Sequence, residues 1–456
     1  MQTLVWKNLS PAQRAAALAR PAQQAQPRTA ALVSHIIAAV RRGGDAALRR
    51  LTAQFDGARL ASLRVSESEF IAAGKSLSAR DQAALRTACR NLRKFHLAQR
   101  PGPVRLETTR GIVCERVVRP IERVGLYVPG GSAPLFSTAL MLGVPSQLAG
   151  NPVRVLCTPP GRDGRVSPWI LCAARLCGIT DVFKLGGAQA VAAMAYGTAS
   201  VPKCDKLFGP GNAFVTEAKL QVSRDPAGAV IDLPAGPSEA MVIADNAASP
   251  AFVAADLLSQ AEHGPDSQVM LVAFSKKFAA RVQAELDGQR RVLPRGAIAT
   301  EALKRSRVFL VSAPAEAVGI ANRYAPEHLI LQVRNPRALL PRITTAGSVF
   351  LGPWTPESLG DYASGTNHVL PTYGWARACS GLGLADFQRS MTVQTASLRG
   401  LRRLGPVVER LALAENLAAH QRAVRVRLDS LAVGAGLSRE PQMATRSNCG
   451  VKPLLQ

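Results

Sequence analysis

The sequence predicts an α/β protein built on mostly parallel sheets. Strand-like runs alternate with helical patterns through the middle of the chain, as where Val124–Val128 is followed by a helix at 135–142. Glycine-rich turns join strands to the helices that follow them, as at Gly186-Gly187. Because consecutive parallel strands need a crossover helix, this alternation predicts sheets that are covered by helices on both faces.

Length and composition indicate a globular protein with more than one domain. The chain has 456 residues, and its 47% hydrophobic against 19% charged content excludes a disordered chain. No run of about 18 apolar residues is present, so no membrane span is expected. Residues 1–7 lack the pattern of a secretory signal, and the eight cysteines form no Cys-x-x-Cys pair. A cytoplasmic location with free thiols is therefore predicted.

The net charge of +25 is typical of proteins that bind nucleic acid. The basic residues, however, come as dispersed pairs such as Arg41-Arg42 and Arg402-Arg403, and aromatic residues make up only 5% of the chain. A stacking platform for bases needs aromatic side chains among the basic ones. We therefore expect a solvated basic surface without nucleic acid, whose charge still favours anionic ligands such as a dinucleotide.

The N-terminal part of the chain is predicted to be helical and to carry no visible chemistry. Residues 1 to about 23 read as a small helical arm in which Ser10-Pro11 begins a helix. A long amphipathic pattern covers 27–55 with a break at Gly43-Gly44, and a second pattern covers 79–97.

Three glycine-rich turns follow predicted strands in the middle of the chain. They lie at 129–134, at 186–189 and at 208–212. A glycine-rich turn that opens a helix presents backbone N–H groups and a helix N-terminus, both of which bind phosphate. None has the Gly-x-Gly-x-x-Gly spacing, so the usual dinucleotide fingerprint is missing. Three such turns at strand carboxyl ends of one sheet still predict a ligand crevice.

A second alternating region begins with the strand Ala240–Ala244 and a helix that starts at Ser249-Pro250. That helix is predicted to run to about Glu262, where His263-Gly264-Pro265 stops it. Gln260 and His263 are three residues apart and therefore share one face of its C-terminal end. Two strong ligands at a helix end read as half of a metal site, and a histidine that caps the last carbonyl groups is the alternative.

An acidic and a basic side chain are adjacent at Glu327-His328, between Pro326 and an apolar strand at 328–332. The pKa of an imidazole ordinarily lies near neutral pH, and a partly buried glutamate can be tuned toward it. This dipeptide is therefore a candidate for proton transfer, with an ordinary surface loop as the alternative.

The last third of the chain contains a polar loop at 358–368 and a helical piece at about 406–431. Glu415 and His420 in this piece are five residues apart and face about 140° away from each other on one ideal helix. They serve one site only if the helix breaks near 417–418 or if they reach it at different points. From Gly434 onward the polar tail is predicted to be disordered.

Eight segments of the chain together resemble the histidinol dehydrogenase family. They are Val124–Pro134, Gly186–Ala190, Phe208–Glu217, Pro234–Glu239, Leu257–Val269, Tyr324–Ile330, Gly360–Thr372 and Gly383–Gln388. The resemblance covers about Trp6 to Leu431, and segments of this length in this order are highly specific. It implies an α/β fold of two Rossmann-like domains with mostly parallel sheets, one inserted in the other, and small helical N- and C-terminal extensions.

The resemblance also suggests domain boundaries. We predict an N-terminal helical arm at 1–23, a discontinuous first Rossmann-like domain with the catalytic zinc site at 24–126 and 238–382, a second with the NAD-binding turns at 127–237, a C-terminal helical dimer-crossing piece at 383–433 and a disordered tail at 434–456.

The family resemblance implies the reaction and the residues that perform it. The implied activity is a zinc-dependent four-electron oxidation of L-histidinol to L-histidine via L-histidinaldehyde with two NAD, the last steps of histidine biosynthesis. His328 would take the alcohol proton, and Glu327 would activate the water that hydrates the aldehyde. The implied zinc ligands, one ion per subunit, are Gln260, His263, Asp361 and His420. The implied substrate contacts are Ser238, Gln260, His263, His328, Asp361, Glu415 and His420, and the implied dinucleotide contacts are Tyr127, Gln189 and Asn212.

The family is further expected to form homodimers in which the C-terminal piece crosses to the neighbour. Glu415 and His420 would then complete the partner's site, and no membrane or nucleic-acid partner is expected. The basic charge and the tail beyond Leu431 have no counterpart in the family pattern. Two alternatives stay open at this point: a related zinc and NAD dehydrogenase for another amino alcohol, and a basic nucleic-acid-binding protein that has kept the scaffold.

Overall fold

The computed structural model describes residues 1–20, 27–130, 134–233 and 236–433. The chain divides into two compact units, of which the first comprises Met1–Pro101 and Arg119–Arg389. The second comprises Gly102–Val118 and Ser390–Gln456, described up to residue 433. The predicted disordered tail at 434–456 and the end of the predicted arm at 21–23 lie outside the described residues.

The described residues contain both parallel and antiparallel strands. In chain order the strands are β1 (Gln2–Val5), β2 (Val104–Thr109), β3 (Ile112–Pro120), β4 (Arg123–Tyr127), β5 (Val153–Thr158), β6 (Asp181–Lys184), β7 (Lys206–Phe208), β8 (Val230–Ile231), β9 (Glu239–Ala244), β10 (Gln268–Ala273), β11 (Arg307–Leu310), β12 (His328–Gln332), β13 (Ser348–Leu351) and β14 (Gln388–Ala396).

Helices separate most of these strands. In chain order they are α1 (Pro11–Ala17), α2 (Pro27–Phe55), α3 (Glu67–Ser76), α4 (Ala79–Ala98), α5 (Phe136–Ala149), α6 (Pro168–Leu176), α7 (Gly187–Tyr196), α8 (Ala213–Arg224), α9 (Pro250–Ala261), α10 (Lys276–Val292), α11 (Gly296–Lys304), α12 (Pro314–Tyr324), α13 (Pro336–Leu339), α14 (Glu357–Tyr362), α15 (Leu398–Ala414) and α16 (Ala418–Val433). Among the described residues, no helix is both long and apolar enough to cross a lipid bilayer.

The first unit contains a six-stranded parallel sheet in the order β1-β11-β10-β9-β12-β13. Every residue of β9, β10 and β12 is buried, because apolar clusters cover both faces of the sheet. The N-terminal arm contains the predicted helix α1, which Ser10 caps together with Gln13. It also contributes the edge strand β1, which the helical prediction for this arm missed.

The same unit contains a second, five-stranded parallel sheet in the order β6-β5-β4-β7-β8. Helices cover both of its faces, so the prediction of mostly parallel, doubly covered sheets is confirmed for both sheets. The helix α2 is kinked at Gly44, where φ is 48°, which confirms the predicted break. The N-terminal helices α2, α3 and α4 pack on the helices of this sheet, although residues 24–126 were predicted to belong to the other domain. The predicted boundaries themselves stay a prediction.

The second unit combines strands with two helices. Its sheet has the order β14-β3-β2, and β2 and β3 form an antiparallel pair. The helices α15 and α16 pack closely at Gly405, where an added Cβ atom would lie 3.0 Å from Val424 and 3.1 Å from Leu428. The prediction of a purely helical C-terminal piece therefore missed the strand β14 and its partners, which come from residues far away in sequence.

Candidate active site

The carboxyl ends of the five-stranded sheet border a cavity of about 960 Å³. Tyr127 lies at the end of β4, Gln189 in the first turn of α7, and Asn212 at the start of α8, and all three line this cavity. The crevice that the glycine-rich turns predicted is therefore present at the predicted edge. The Tyr127 hydroxyl oxygen accepts a hydrogen bond from the Gly187 N–H at 3.0 Å, and burial raises the pKa of Tyr127 to about 12.

A carboxylate that sequence reasoning missed also lines this cavity. Asp56 follows the end of α2, and its Oδ2 atom is buried without a hydrogen-bond partner among the described residues. Burial raises the pKa of Asp56 to about 6. A lone carboxylate in this position is suited to accept hydrogen bonds from a ligand hydroxyl group. No local signal marks it, because Asp56 lies about 70 residues before the nearest predicted turn.

A second cavity, of about 380 Å³, adjoins the first and shares Pro129 and Asn212 with it. It extends to the amino ends of the six-stranded sheet, where Ser238 precedes β9 and His328 begins β12. Both sheets therefore contribute to one continuous site, the six-stranded sheet through its amino ends and the five-stranded sheet through its carboxyl ends. Open parallel sheets more commonly bind ligands at carboxyl ends alone.

Glu327 and His328 lie in this second cavity and are buried, so the surface-loop alternative for this dipeptide is wrong. Glu327 Oε2 accepts a hydrogen bond from the Glu239 N–H at 2.8 Å and lies 3.6 Å from His328 Nδ1. His328 Nε2 lies 3.3 Å from Asp361 Oδ1. Pro326 ends the helical path after α12, and the apolar sequence that follows enters the sheet, which places both side chains at the edge of the strand.

The surroundings of His328 are rich in carboxyl groups. Burial alone disfavours a charged ring, but the carboxylates of Glu327 and Glu357 outweigh burial and raise the pKa of His328 well above its ordinary value. Burial also disfavours the charged form of Glu357, which raises the pKa of this carboxyl group well above that of an ordinary glutamate. Buried carboxylates at this density favour a compensating cation.

Three of these side chains are arranged as a metal site would require. One ligand atom each of His263, Glu357 and Asp361 lies within 4.8 Å of the others. Gln260 donates a hydrogen bond through Nε2 to Glu357, which leaves its buried Oε1 without a partner among the described residues. An imidazole nitrogen, carboxylate oxygens and an amide oxygen are ligands that Zn²⁺ accepts, so the residues present fit a zinc ion.

Comparison with known proteins decides the family. A family model described as histidinol dehydrogenase matches residues 18–428. A histidinol dehydrogenase from Vibrio parahaemolyticus is 56% identical over 431 residues, which are 94% of this chain and 99% of that protein. One from Xylella fastidiosa is 57% identical over 431 residues, which are 94% of this chain and 100% of that protein. The chain belongs to the histidinol dehydrogenase family.

A solved structure supports the same assignment. The crystal structure of histidinol dehydrogenase from Elizabethkingia anophelis matches with a TM-score of 0.90 at 46% identity, over 95% of this chain and 99% of that one. The resemblance read from the sequence, the α/β fold class and the oxidoreductase class are therefore confirmed. As a histidinol dehydrogenase, the protein acts in histidine biosynthesis, and the non-enzymatic nucleic-acid-binding alternative is set aside.

Glu357 is a second site residue, besides Asp56, that the sequence analysis missed. We predicted a loop beginning at residue 358, whereas the structure has the short helix α14 (Glu357–Tyr362). Residues four apart lie on one face of a helix, so Glu357 and Asp361 point the same way. That spacing was the available signal, and the glycines around it concealed the helix.

His368 lines the second cavity and is hydrogen-bonded on both sides of its ring. Its Nδ1 lies 2.9 Å from the Asp361 carbonyl oxygen, and its Nε2 lies 3.1 Å from Thr138 Oγ1. Through Thr138, which is in α5, the loop after α14 is fastened to a helix of the other sheet. His368 therefore fixes the backbone that carries Asp361.

Two predicted site residues, Glu415 and His420, belong to the second unit, and both are exposed. The described residues that line the two cavities all belong to the first unit. The helix does break between these two residues, because α15 ends at Ala414 and α16 begins at Ala418, with Asn416 at a φ of 58° between them. One of the two conditions under which Glu415 and His420 could serve one site is therefore met.

Proposed function

We propose that this protein binds one zinc ion per subunit and uses two NAD to oxidise L-histidinol to L-histidine through L-histidinaldehyde. The observation that carries the proposal is that His263 and Asp361 line one cavity together with the acid–base pair. A buried carboxylate, Glu357, has an oxygen within 4.8 Å of the ligand atoms of both residues. That cavity adjoins a larger one with the dimensions that a dinucleotide needs.

The zinc ion would be held by Gln260, His263 and Asp361 of one chain and by His420. When bound, zinc would orient the imidazole and amine of the substrate and polarise the groups that it contacts. Glu357 supports this arrangement by accepting the Gln260 Nε2–H hydrogen bond, because the amide oxygen is then directed away from Glu357. A cation at this place would also offset the carboxylates that raise the pKa of His328, so that the neutral ring becomes available as a base.

The dinucleotide would lie along the larger cavity against Tyr127, Gln189 and Asn212. NAD, when bound, would accept a hydride in each of the two oxidation steps. Asn212 Oδ1 caps α8 by accepting hydrogen bonds from the N–H groups of Phe214 and Val215, which fixes the start of this helix at the cavity. Asp56, which lines the same cavity, is suited to accept hydrogen bonds from ribose hydroxyl groups.

Proton transfer in both steps would fall to the buried pair at the start of β12. His328 takes the proton of the substrate hydroxyl group in the first oxidation, which leaves the aldehyde. Glu327 takes a proton from water as that water adds to the aldehyde carbon, and the carbonyl oxygen takes the proton that His328 holds, which gives the hydrate for the second oxidation. Ser238, at the amino end of β9, lines the same cavity and would contact the substrate.

We further propose a homodimer in which Glu415 and His420 complete the site of the partner subunit. Apolar side chains are exposed on and between α15 and α16, namely Val407, Val408, Leu411, Leu413, Leu417 and Val426. Exposed apolar side chains that recur along one helical pair are typical of a surface that another chain covers. The proposed crossing would also explain why Glu415 and His420, which are exposed in the single chain, belong to the site.

The crossing predicts a specific pattern of complementation between two inactive variants. His263→Ala and His420→Ala chains with different tags are co-expressed, and the mixed dimers are purified through both tags. One of the two sites in a mixed dimer then carries neither change, so we expect about half of the wild-type activity per dimer. A mixed dimer without activity would mean that each chain supplies its own His420.

Cytoplasmic location is the last part of the proposal. The described cysteines are free thiols at positions 89, 114, 157, 172, 177, 204 and 379. Free thiols in this number are typical of proteins in a reducing compartment.

The proposed reaction is tested by following NAD reduction to its end point with purified, zinc-loaded protein and a limiting amount of L-histidinol. We expect two NADH for each histidinol consumed, since the aldehyde is oxidised before it leaves, and we expect loss with a chelator and recovery with zinc. One NADH would mean that the aldehyde is released. The control substrates are other amino alcohols, and faster oxidation of one of them would favour the related dehydrogenase as the true function.

A further inference from the structure

A buried arginine from the N-terminal arm lies beneath the acid–base pair. Arg20 follows α1, and its side chain is only 6% exposed. The guanidinium group donates two hydrogen bonds to the Glu239 carboxylate, one from Nε to Oε1 and one from Nη2 to Oε2 at 2.8 Å. Its Cζ atom lies 3.9 Å from the centre of the Tyr324 ring. One edge of the guanidinium group is therefore hydrogen-bonded to the Glu239 carboxylate, and one face is stacked on the Tyr324 ring.

The same ion pair fixes two unusual turns of the backbone. Three described residues other than glycine have a positive φ. Two of them, Ala325 at 53° and Tyr373 at 56°, are hydrogen-bonded to the Arg20–Glu239 ion pair. Arg20 Nη2 donates to the carbonyl oxygens of Tyr324 at 2.8 Å and Ala325 at 3.3 Å. Glu239 Oε1 accepts the Tyr373 N–H at 3.0 Å. Such conformations persist where the surroundings hold them, and they cluster at functional sites.

Both turns lead directly into the second cavity. Ala325 is two residues before Glu327, and Tyr373 itself lines the cavity. The main chain of Glu239 contacts both members of the acid–base pair: its N–H donates to Glu327 Oε2 at 2.8 Å, and its carbonyl oxygen lies 3.3 Å from His328 Nδ1. The position of Glu239 therefore bears on the placement of both proton-transferring groups.

We propose that Arg20 is a positioning residue, which with Glu239 holds Glu327 and His328 in the geometry that proton transfer requires. The inference rests on the proposed roles of that pair. It also assigns a function to the N-terminal arm, whose strand β1 is anchored in the six-stranded sheet and whose helix α1 leads to Arg20. The arm thus places the Arg20 guanidinium group against Glu239, next to the acid–base pair.

Arginine is the side chain that this position demands. Its planar group forms parallel hydrogen bonds to a carboxylate and still has a donor for the two carbonyl oxygens. A lysine would keep the positive charge, but its single nitrogen cannot reproduce the two parallel bonds while contacting the turn. The arrangement therefore predicts that charge alone is insufficient.

The test compares Arg20→Ala, Arg20→Lys and the double variant Arg20→Ala/Glu239→Gln. The double variant guards against a misfolded single variant, since it leaves no unpaired carboxylate in the interior. For each folded, zinc-loaded protein, kcat and KM are measured with histidinol and NAD. We expect kcat to fall by about 10²-fold, which is what small misplacements of reacting groups cost. KM for histidinol and the zinc content are expected to stay unchanged.

Two further measurements separate positioning from a general loss of stability. Millimolar guanidinium chloride is added to Arg20→Ala and is expected to restore part of kcat, whereas methylammonium, which lacks the planar fork, is not. Arg14→Lys is the matched control in the same arm, where Arg14 Nε donates to the Trp6 carbonyl oxygen and the guanidinium lies over the Trp6 ring. It is expected to keep the wild-type kcat.

Wild-type kcat in the folded double variant would overturn the inference, as would an equal loss in Arg14→Lys. These results are distinct from failure of the proposed function. If the roles of Glu327 and His328 were wrong, their own substitution would leave both oxidation steps intact, whatever Arg20 does.

Discussion

Replacing His263 by Ala is expected to release the metal and abolish histidinol oxidation while the protein stays folded. His263 follows the end of α9 and is exposed, so little packing is lost. It supplies the only imidazole of the three-residue cluster found among the described residues. Loss of a residue that merely supports a metal ligand lowers metal affinity about 10–100-fold, so removal of a ligand should exceed that.

Metal content is measured by atomic absorption after dialysis, and unfolding is followed with and without added zinc. The wild type should gain thermal stability when zinc binds the folded state, whereas His263→Ala should not respond. His35→Ala is the matched control, because His35 is an exposed histidine of α2 whose Nδ1 contacts the Ala31 carbonyl oxygen. Retention of one zinc ion per chain by His263→Ala would refute the ligand assignment.

Replacing Glu327 by Gln is expected to slow the oxidation of the aldehyde much more than the oxidation of the alcohol. The amide keeps the size of the side chain and can still accept the Glu239 N–H hydrogen bond, but it cannot take a proton from water. Loss of a general base typically costs 10²–10⁴-fold, so about that factor is expected in the aldehyde half.

Single-turnover NADH formation from L-histidinol and from L-histidinaldehyde separates the two halves. His328→Asn should show the opposite bias, with the larger loss in the alcohol half. The control is Glu316→Gln, the same change at a half-buried glutamate in the first turn of α12 that lines neither cavity, and it should alter neither half. Equal losses in both halves for Glu327→Gln would contradict a specific role in activating water.

Much of the first unit is predictable because its signals are local. The alternation of strands and helices, the stop of α9 before His263 and the kink at Gly44 each depend on a few neighbouring residues. The three glycine-rich turns lie at one sheet edge because parallel strands bring their carboxyl ends together. The second unit was predicted less well, since β14 is far in sequence from β2 and β3 and their side chains are mostly half-buried or exposed.

The candidate site shows the same division between local and distant information. The family resemblance named Glu327, His328, His263 and Asp361, and the structure places all four at one cavity. The resemblance missed Glu357. The helix that carries this residue is too short, and has too many glycines near it, for the helical periodicity of the sequence to reveal it. Their individual roles remain predictions, which the substitutions described above would test.

By itself the sequence determined the α/β class, the parallel sheets and the residue types that the chemistry needs, because periodicity, capping and breaks act over a few residues. Only the tertiary structure decided which edges of the two sheets meet. It brought the amino ends of one sheet to the carboxyl ends of the other, and it placed Arg20 and Asp56 beside residues more than 60 positions away. Such contacts depend on how whole layers pack against each other, for which no short stretch of sequence carries a signal.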